Sequence, residues 1–428
     1  MGLDIPPSYR PLGVAALADY LAEVTPLRDR LGGSVDDWVF GEVSDGYLNL
    51  VHLVDGPDGA LCVKQALPHV RQDKNWPLPL DRSSAEALYW RTLAPFTPGF
   101  VPKIFHYDRD LALIVMEKLA PHRVLRGCVV ADEISETLGA KVGEFVARAT
   151  FFTSDHYQKL EFKHRGIAGF NDNDALHRIM LELVYQDPFI ASPRNHWTSP
   201  HLDDLAESFR TDPRIRIAAG RLAHKYLANA QALIHNDLRA GAIMLHGGDV
   251  RVIDPEFATF GPIGVDLGIF IGHLLIGYYA QDGYGAAPGA RAAQQQSLLA
   301  QIAVFVATFR RRFLELWRVQ GAGDAYLPVS FSDAAGQKAL EREREIFVDA
   351  VLDDAIRFAA PAIVRAIVGY SHFAEMESIA DKDRKAAAEV GALSLARDIL
   401  ISPERYPNIP DVINAAPGFR RPPGRSIS

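Results

Sequence analysis

The spacing of apolar residues changes part way along this chain, and this change constrains the fold more than any other feature. Between residues 38 and 66 apolar and polar side chains alternate around tight turns, as in short antiparallel strands, and residues 111–116 predict a further strand. From Glu133 onward apolar residues recur at helical spacing. Strands that precede a run of helices predict an α+β fold, with a small β-rich lobe and a large, mostly α lobe. The predicted strands cover residues 38–40, 48–54, 60–65 and 111–116, and the predicted helices cover 14–24, 83–93, 136–154, 214–232, 292–318 and 337–369.

The length of 428 residues also favours two lobes, because single hydrophobic cores rarely grow to this size. We predict an N-terminal lobe over residues 1–118 and a helical C-terminal lobe over residues 119–428. Segments 187–201 and 281–291 are predicted loops. Residues 402–428 contain several Pro and Arg and are predicted to form an irregular tail.

The charge balance and the cysteines narrow the classes of function. A formal net charge of −8 argues against a nucleic-acid partner, which would require clustered Lys and Arg. Cys62 and Cys128 show no metal-ligand spacing and indicate a reducing compartment. The first residues lack the pattern of a secretory signal, and the most apolar run, 264–280, is interrupted by charge and too short to span a membrane. We therefore expect a cytoplasmic protein with small-molecule ligands and no membrane association.

Two aspartates, 17 positions apart, lie in different settings within residues 233–268. Asp237 follows the dipeptide His235-Asn236 and opens a loop, whereas Asp254 ends the apolar run VRVI at 250–253, a predicted short strand. Phosphoryl transfer to a hydroxyl requires one carboxylate beside the attacking oxygen and another on the metal ion that neutralises the phosphates. The layout predicts a phosphotransferase, with Asp237 and Asp254 in these two positions.

This segment resembles the catalytic loop and the metal-binding Asp of the protein-kinase-like small-molecule kinases. In that fold a turn, a strand with a lysine and a helix with a glutamate follow one another, as do Asp45-Gly46, Lys64 and Glu86 here. The resemblance implies that Lys64 contacts the nucleotide phosphates and that Glu86 pairs with it. From the residues alone, Lys64 could instead extend to solvent and Glu86 could lie on an exposed helix face.

A narrower resemblance is to the methylthioribose kinases. It is carried by the motif DPEFA at 254–258 followed by FGPIG at 260–264, by the turn DGYLN at 45–49, and by a loop with Trp76. The resemblance implies ATP and Mg²⁺ as cofactors, transfer to the C1 hydroxyl of 5-methylthioribose, and a homodimer. Carried over by position, it assigns the following roles. Asp237 is the base or positioning group, and Asp254 and Glu256 ligate magnesium. Phosphate is surrounded by Asp45, Gly46 and Asn49. Glu117 lies where the lobes join beside the adenine, and Trp76 closes over the sugar.

Departures from the family pattern in the catalytic loop and in an arginine pair leave the acceptor open. The catalytic loop of the family usually reads HGDLHxGS, whereas this chain has HNDLRAGA at 235–242, so that Ala242 replaces a polar residue and cannot ligate a metal. Two consecutive arginines of the family are here Arg365-Ala366. We expect Arg239 to act with Asp237 in catalysis and Arg365 to bind the acceptor. A kinase for another 5-deoxypentose or a related small hydroxyl compound, and a nucleotide-binding pseudokinase, remain alternatives.

Overall fold

The structure is a computed structural model that describes residues 5–43, 48–71, 73–285, 287 and 289–421. Asp45 and Gly46, predicted to surround phosphate, lie outside the described residues.

The N-terminal lobe is built on a five-stranded antiparallel sheet whose strands, in spatial order, are β1 (Val39–Glu42), β2 (Asn49–Asp55), β3 (Ala60–Ala66), β7 (Leu113–Glu117) and β6 (Ile104–Asp108). Side chains alternate across β3, so that Leu61 and Val63 pack against the first two helices while Cys62 and Lys64 face the C-terminal lobe. This alternation places a lysine in the cleft. The elements are α1 (Val14–Glu23), α2 (Thr25–Leu31), β1 (Val39–Glu42), β2 (Asn49–Asp55), β3 (Ala60–Ala66), β4 (His69–Val70), β5 (Asp73–Pro77), α3 (Arg82–Leu93), β6 (Ile104–Asp108) and β7 (Leu113–Glu117).

The remainder of the chain is mostly helical, with short strands that carry the loop around Asp237. Its elements are β8 (Arg123–Val124), α4 (Leu125–Ala131), α5 (Leu138–Thr153), α6 (Leu160–Phe170), α7 (Asp174–Met180), α8 (Asp203–Thr211), α9 (Pro213–Ala228), β9 (Ala232–Ile234), β10 (Ile243–His246), β11 (Asp249–Val252), β12 (Thr259–Gly261), α10 (Gly264–Tyr284), α11 (Ala292–Gln320), α12 (Ala334–Val368), α13 (Ala374–Glu377), α14 (Lys382–Ile401) and α15 (Ile409–Ala415). The α+β, bilobal prediction is confirmed. We propose residue 118 as the boundary between the lobes.

Helix α10 is the centre of the large lobe and is buried on nearly all sides, as expected for an apolar helix without a polar face. It packs against α12 at a glycine. A Cβ added at Gly268 would lie 2.7 Å from the carbonyl oxygen of Ala355 and 2.8 Å from the backbone nitrogen of Ala359. Only the absence of a side chain at Gly268 permits this approach of the two helices. None of the helices in the described ranges is both long and apolar enough to cross a membrane.

Two of the predicted irregular segments prove to be partly regular. Helix α10 continues to Tyr284, into the predicted loop 281–291. The predicted tail contains α15, and Tyr406, Ile409 and Val412 are each at most 4% exposed. These apolar side chains pack against the core, and this burial stabilises regular structure that the Pro-rich local sequence does not indicate.

Candidate active site

A cleft of about 1160 Å³ separates the two lobes and brings together the described residues that the sequence predicted. Those that line it are Asn49, Lys64, Trp76, Glu86, Glu117, Asp237, Arg239, Asp254, Glu256 and Arg365. They come from both lobes and span more than 300 positions of the chain. Their convergence meets the first requirement for a site that binds a nucleotide and an acceptor together.

Strand pairing brings the two aspartates together. Strand β12, just after the Asp254 segment, pairs with β9, just before Asp237, and the backbone N–H of Ile253 donates to the carbonyl of Ala242 at 2.9 Å. Asp254 has a φ of +66°, an uncommon left-handed conformation for a residue with a side chain. Such a conformation persists only where the surrounding structure enforces it, and it often marks a functional position.

Asp266 was not assigned a role from the sequence, yet it holds the loop before Asp237. Its two carboxylate oxygens accept hydrogen bonds from the backbone N–H groups of His235 and Asn236 at 2.7 and 2.8 Å. Asn236 has a φ of +67°. Its side-chain amide donates to the Phe257 carbonyl at 3.0 Å. The acidic residue after the FGPIG run was the available sequence signal for this role.

Asp237 is buried between two arginines. Its Oδ2 accepts a hydrogen bond from Arg239 Nε at 2.7 Å, and its Oδ1 accepts one from an Arg365 guanidinium nitrogen at 3.2 Å. Burial acts to raise the pKa of Asp237, but Arg239 and Arg365 together hold this pKa well below its ordinary value. Asp237 is therefore ionised at neutral pH and presents an acceptor of hydrogen bonds to the cleft.

Lys64 connects the small lobe to Asp254. Its Nζ lies 2.8 Å from a carboxylate oxygen of Glu86 and also pairs with Asp254. Glu86 is 2% exposed, which removes the alternative of a solvent-facing glutamate. Burial and the nearby carboxylates of Asp254 and Glu256 together raise the pKa of Glu86 to about 8, against the opposing effect of Lys64. Three carboxylates, those of Glu86, Asp254 and Glu256, thus lie close to the single ammonium group of Lys64.

Glu256 is held by two residues of the small lobe. Its Oε2 lies 3.2 Å from the amide nitrogen of Asn49 and 3.3 Å from Nε of Arg82. Burial, and then the neighbouring carboxylate of Asp254, raise the pKa of Glu256. Arg82 was missed from the sequence. The signal was a basic residue at the start of a helix, where the helix dipole disfavours a cation and a specific anionic partner is needed.

The carboxylates of Asp254 and Glu256 fit a magnesium ion. Their hard oxygens are the donors this ion prefers, and a divalent cation between them would offset the repulsion by which Asp254 raises the pKa of Glu256. Across the described ranges, no group of three or more His, Cys, Asp or Glu side chains could hold a metal ion. A magnesium ion here would therefore also need phosphate oxygens and water as ligands, which is usual for Mg²⁺.

One end of the cleft is apolar and suits a planar base. The lining residues there are Val51, Leu53, Cys62, Met116, Leu119, Met244 and Ile253. Glu117 lies at the end of β7 beside this surface, and its carboxylate accepts a hydrogen bond from the backbone N–H of Lys103 at 3.1 Å. The side chain of Glu117 thus fixes the segment between the lobes, and its backbone remains the part suited to a base.

The opposite end of the cleft is closed by the Trp76 hairpin. Trp76 lies on β5, and its ring is 5.2 Å from that of Tyr370, which follows α12 in the large lobe. The guanidinium of Arg194 lies 5.7 Å from the Trp76 ring. The small lobe therefore reaches across the cleft next to Arg365. Tyr370 was not identified from the sequence, which has no local motif there.

The residues that depart from the family pattern lie in or next to the cleft. Ala242 is 2% exposed, and its methyl group offers no metal ligand. Arg239 lies against Gly241, where a Cβ would be 2.3 Å from one of its guanidinium nitrogens. Arg365 lines the cleft, whereas the adjacent Ala366 is 1% exposed within the core. Of these two neighbours, only Arg365 faces the cleft.

Comparison with known proteins gives a consistent family. A model of the phosphotransferase enzyme family matches residues 40–305. Methylthioribose kinase 1 of Oryza sativa subsp. japonica is 34% identical over 417 residues, covering 96% of this chain and 96% of that protein. The methylthioribose kinase of Escherichia coli O45:K1 (strain S88 / ExPEC) is 34% identical over 414 residues, covering 96% and 98%.

Solved structures agree on the fold. A glucosamine kinase in complex with glucosamine, ADP and inorganic phosphate has a TM-score of 0.50 at 15% identity, covering 92% of this chain and 88% of that chain. From the family model and the near full-length relatives, this chain is a phosphotransferase that belongs to the methylthioribose kinase family.

Proposed function

We propose that this protein is an ATP- and Mg²⁺-dependent kinase that phosphorylates the C1 hydroxyl of 5-methylthioribose. The observation that carries the proposal is the placement of Asp237 and Arg365 in the same cleft as the Lys64–Asp254 pair. Asp237 and Arg365 suit an acceptor hydroxyl, whereas Lys64 and Asp254 suit a nucleotide phosphate and its metal ion. The naming of near full-length relatives as methylthioribose kinases supports this acceptor.

In the proposed reaction Asp237 orients the acceptor. Its carboxylate accepts a hydrogen bond from the acceptor hydroxyl, which directs an oxygen lone pair towards the γ-phosphorus of ATP. The bond between that phosphorus and the ADP oxygen breaks as the new O–P bond forms, and the hydroxyl proton passes to Asp237 and then to solvent. Because the pKa of Asp237 lies so low, Asp237 is a weak base, and the proton moves late, as is expected for a loose transition state.

Cationic side chains in the cleft stabilise the transferred phosphoryl group. Lys64, held by Glu86, binds phosphate oxygens of the nucleotide, and Asp254 with Glu256 holds the magnesium ion. When bound, that ion neutralises charge on the phosphates. We propose that Arg239 donates to the γ-phosphate and that Arg365 donates to the acceptor, because both arginines line the cleft and both donate hydrogen bonds to Asp237.

The Trp76 hairpin serves as the lid over the acceptor. Its contact with Tyr370 closes the side of the cleft next to Arg365. Closure excludes water, which otherwise competes with the sugar for the phosphoryl group.

A second candidate is a kinase for another 5-deoxypentose or a related small hydroxyl compound. Arg239 and Ala242 are the observations that favour it, because both residues change the catalytic loop of the family. A pseudokinase is disfavoured, since Lys64, Asp237 and Asp254 all line the cleft.

An ATP-consumption screen tests the acceptor. Methylthioribose, 5-deoxyribose, ribose and simple amino alcohols are offered in turn, and phosphorus NMR locates the phosphate in each product. We expect the highest kcat/KM with methylthioribose and a C1 phosphate. A preference for another pentose or for an amino alcohol would support the second candidate, and no turnover with any of the acceptors would refute both.

The family resemblance further suggests a homodimer in the cytoplasm, where ATP is available. Sedimentation equilibrium at several protein concentrations tests the dimer. A mass of one chain at every concentration would refute it.

A further inference from the structure

Arg82 joins three parts of the site that have no other direct link through a single side chain among the described residues. It is 1% exposed and begins helix α3. Its guanidinium donates to the carbonyl of Leu48 at 2.7 Å and to the carbonyl of Pro79, also at 2.7 Å. Leu48 directly precedes β2 in the small lobe, and Pro79 lies in the segment that leads from the Trp76 hairpin into α3.

The third part is the metal-binding segment of the other lobe. Arg82 pairs with Glu256 at 3.3 Å and donates to the side-chain oxygen of Asn49 at the same distance. Asn49 in turn donates to Glu256. Arg82 is thus a contact between the lobes that involves a candidate magnesium ligand at one end and the base of the lid at the other.

The chemistry of the guanidinium makes this arrangement rigid. Its nitrogens lie in one plane with fixed directions, so a displacement of the guanidinium that follows its ion-pair partner Glu256 reorients its hydrogen bonds to the Leu48 and Pro79 carbonyls. In a buried site, with no water to replace a lost partner, each broken bond leaves an unpaired polar group. A movement of Glu256 on metal binding is therefore transmitted to the Pro79 carbonyl.

We propose that Arg82 is a positioning residue that couples Mg·nucleotide binding at Glu256 to closure of the Trp76 lid over the acceptor. The inference rests on the proposed function in taking Glu256 as a magnesium ligand. Coupling of this kind is reciprocal, so nucleotide tightens acceptor binding by the same factor as acceptor tightens nucleotide binding. The enzyme then closes over the sugar only when the phosphoryl donor is in place.

Tryptophan fluorescence measures the lid directly. The chain contains five tryptophans, so the Trp76 signal is taken as the difference between each protein and its Trp76→Phe counterpart. We expect Mg·ADP to change this signal in the wild type. In Arg82→Lys, which keeps the charge and loses the planar fork, Mg·ADP should still bind by calorimetry while the Trp76 change falls at least threefold. An equal Trp76 response in Arg82→Lys would overturn the proposal.

Two matched variants locate the effect. Arg91→Lys changes an exposed arginine on the same helix, outside the cleft, and should respond as the wild type does. Asn49→Ala removes the amide contact with Glu256 and one Arg82 contact while the bond from Arg82 to Pro79 stays, so its Trp76 response should persist when Mg·ADP is held at saturation as judged by calorimetry. If Asn49→Ala loses the response and Arg82→Lys keeps it, Asn49 and not Arg82 transmits the movement.

A measurement on the wild-type protein tests the proposal even if the Arg82 variant fails to fold. The backbone N–H of Leu78 donates to the Pro68 carbonyl at 3.0 Å at the base of the hairpin. Mg·ADP should slow hydrogen exchange at Leu78, and unchanged exchange would overturn the proposal. None of these measurements uses methylthioribose. A protein that fails to phosphorylate this sugar, and so refutes the proposed acceptor, would still report on the coupling.

Discussion

At the scale of single residues, the two arginines on Asp237 govern its chemistry. Because Arg239 and Arg365 lower the pKa of Asp237, the carboxylate stays ionised above about pH 4, the ordinary range for an aspartate. Its ionic contacts therefore stabilise the fold at neutral pH and are lost only as the pH falls through and below that range. A decline in activity between pH 5 and 7 would have to come from another group.

Asp237→Asn should abolish turnover while nucleotide still binds. The amide keeps the shape of the side chain but can neither take the proton nor balance the two arginines, and we expect kcat to fall roughly 10²–10⁴-fold. Steady-state kinetics with calorimetric titration of Mg·ADP makes the comparison. Full activity in this variant would remove Asp237 from the mechanism.

Arg365→Ala should act mainly on the acceptor. Its guanidinium lies in the cleft and donates to Asp237, and a charge-assisted hydrogen bond of this type contributes about 1.5–3 kcal/mol. We expect kcat/KM for the acceptor to fall about ten- to a hundredfold with much less change in nucleotide affinity. Arg239→Ala should lower kcat instead, if Arg239 binds the γ-phosphate as proposed. Equal effects of the two variants on kcat and KM would argue against separate roles.

At the scale of secondary-structure elements, close packing of α10 against α12 holds the large lobe together. Gly268→Ala should destabilise the protein by about 1–3 kcal/mol, because the new methyl group meets backbone atoms that cannot turn away. Gly220→Ala is the control. A Cβ at Gly220, inside α9, meets no other atom within 4 Å, and the variant should gain about 0.5–1 kcal/mol in helix stability. Urea denaturation measures both, and a neutral Gly268→Ala would show that the helices can separate at little cost.

Helix α14 carries a buried carboxylate whose effect on stability depends on pH. Burial raises the pKa of Glu389 to about 7, against the opposing charge of Lys385 at 3.9 Å. Between about pH 4.3, the ordinary value for a glutamate, and pH 7, the folded state binds the proton more tightly than the unfolded state. Stability therefore falls as the pH rises through this window, by at most roughly 4 kcal/mol.

Glu389→Gln tests this assignment. The variant should be more stable than the wild type at pH 8, where the wild type must bury a charge, and should lose this advantage at pH 4. Urea denaturation at the two pH values measures the difference. A gain of the same size at both would show that the carboxylate does not titrate as inferred.

At the scale of the whole molecule, ligand binding should stabilise both lobes together, since the cleft residues come from each. Mg·ATP at 100 times its Kd should add about 2.7 kcal/mol to the free energy of unfolding, and ATP without magnesium should add far less. Asp254→Ala should lose the magnesium-dependent part, whereas Asp237→Asn should keep it. Thermal unfolding with and without metal makes the measurement. An equal shift in Asp254→Ala would contradict the metal assignment.

Short-range patterns in the sequence were sufficient to predict the order of the secondary-structure elements and several of the side chains that line the cleft. The alternation that predicts β3 also places Lys64 on the cleft face, because successive side chains of a strand point to opposite sides. The loop with Asp237 and the strand before Asp254 follow one another closely in the chain. Each motif that carries the resemblance is a run of a few consecutive residues, so it could be recognised without knowledge of the fold.

By itself, the sequence determined an α+β chain with a β-rich start, a helical remainder and two aspartates placed for phosphoryl transfer. Only the tertiary structure decided which distant residues share that site. Arg365 reaches Asp237 across 128 positions, and Asn49 reaches Glu256 across 207. Arg82 and Tyr370 likewise acquire their roles from contacts with the other lobe. Local periodicity records which face of an element is apolar, whereas a contact between lobes depends on how whole elements pack, and no short window of the sequence contains that information.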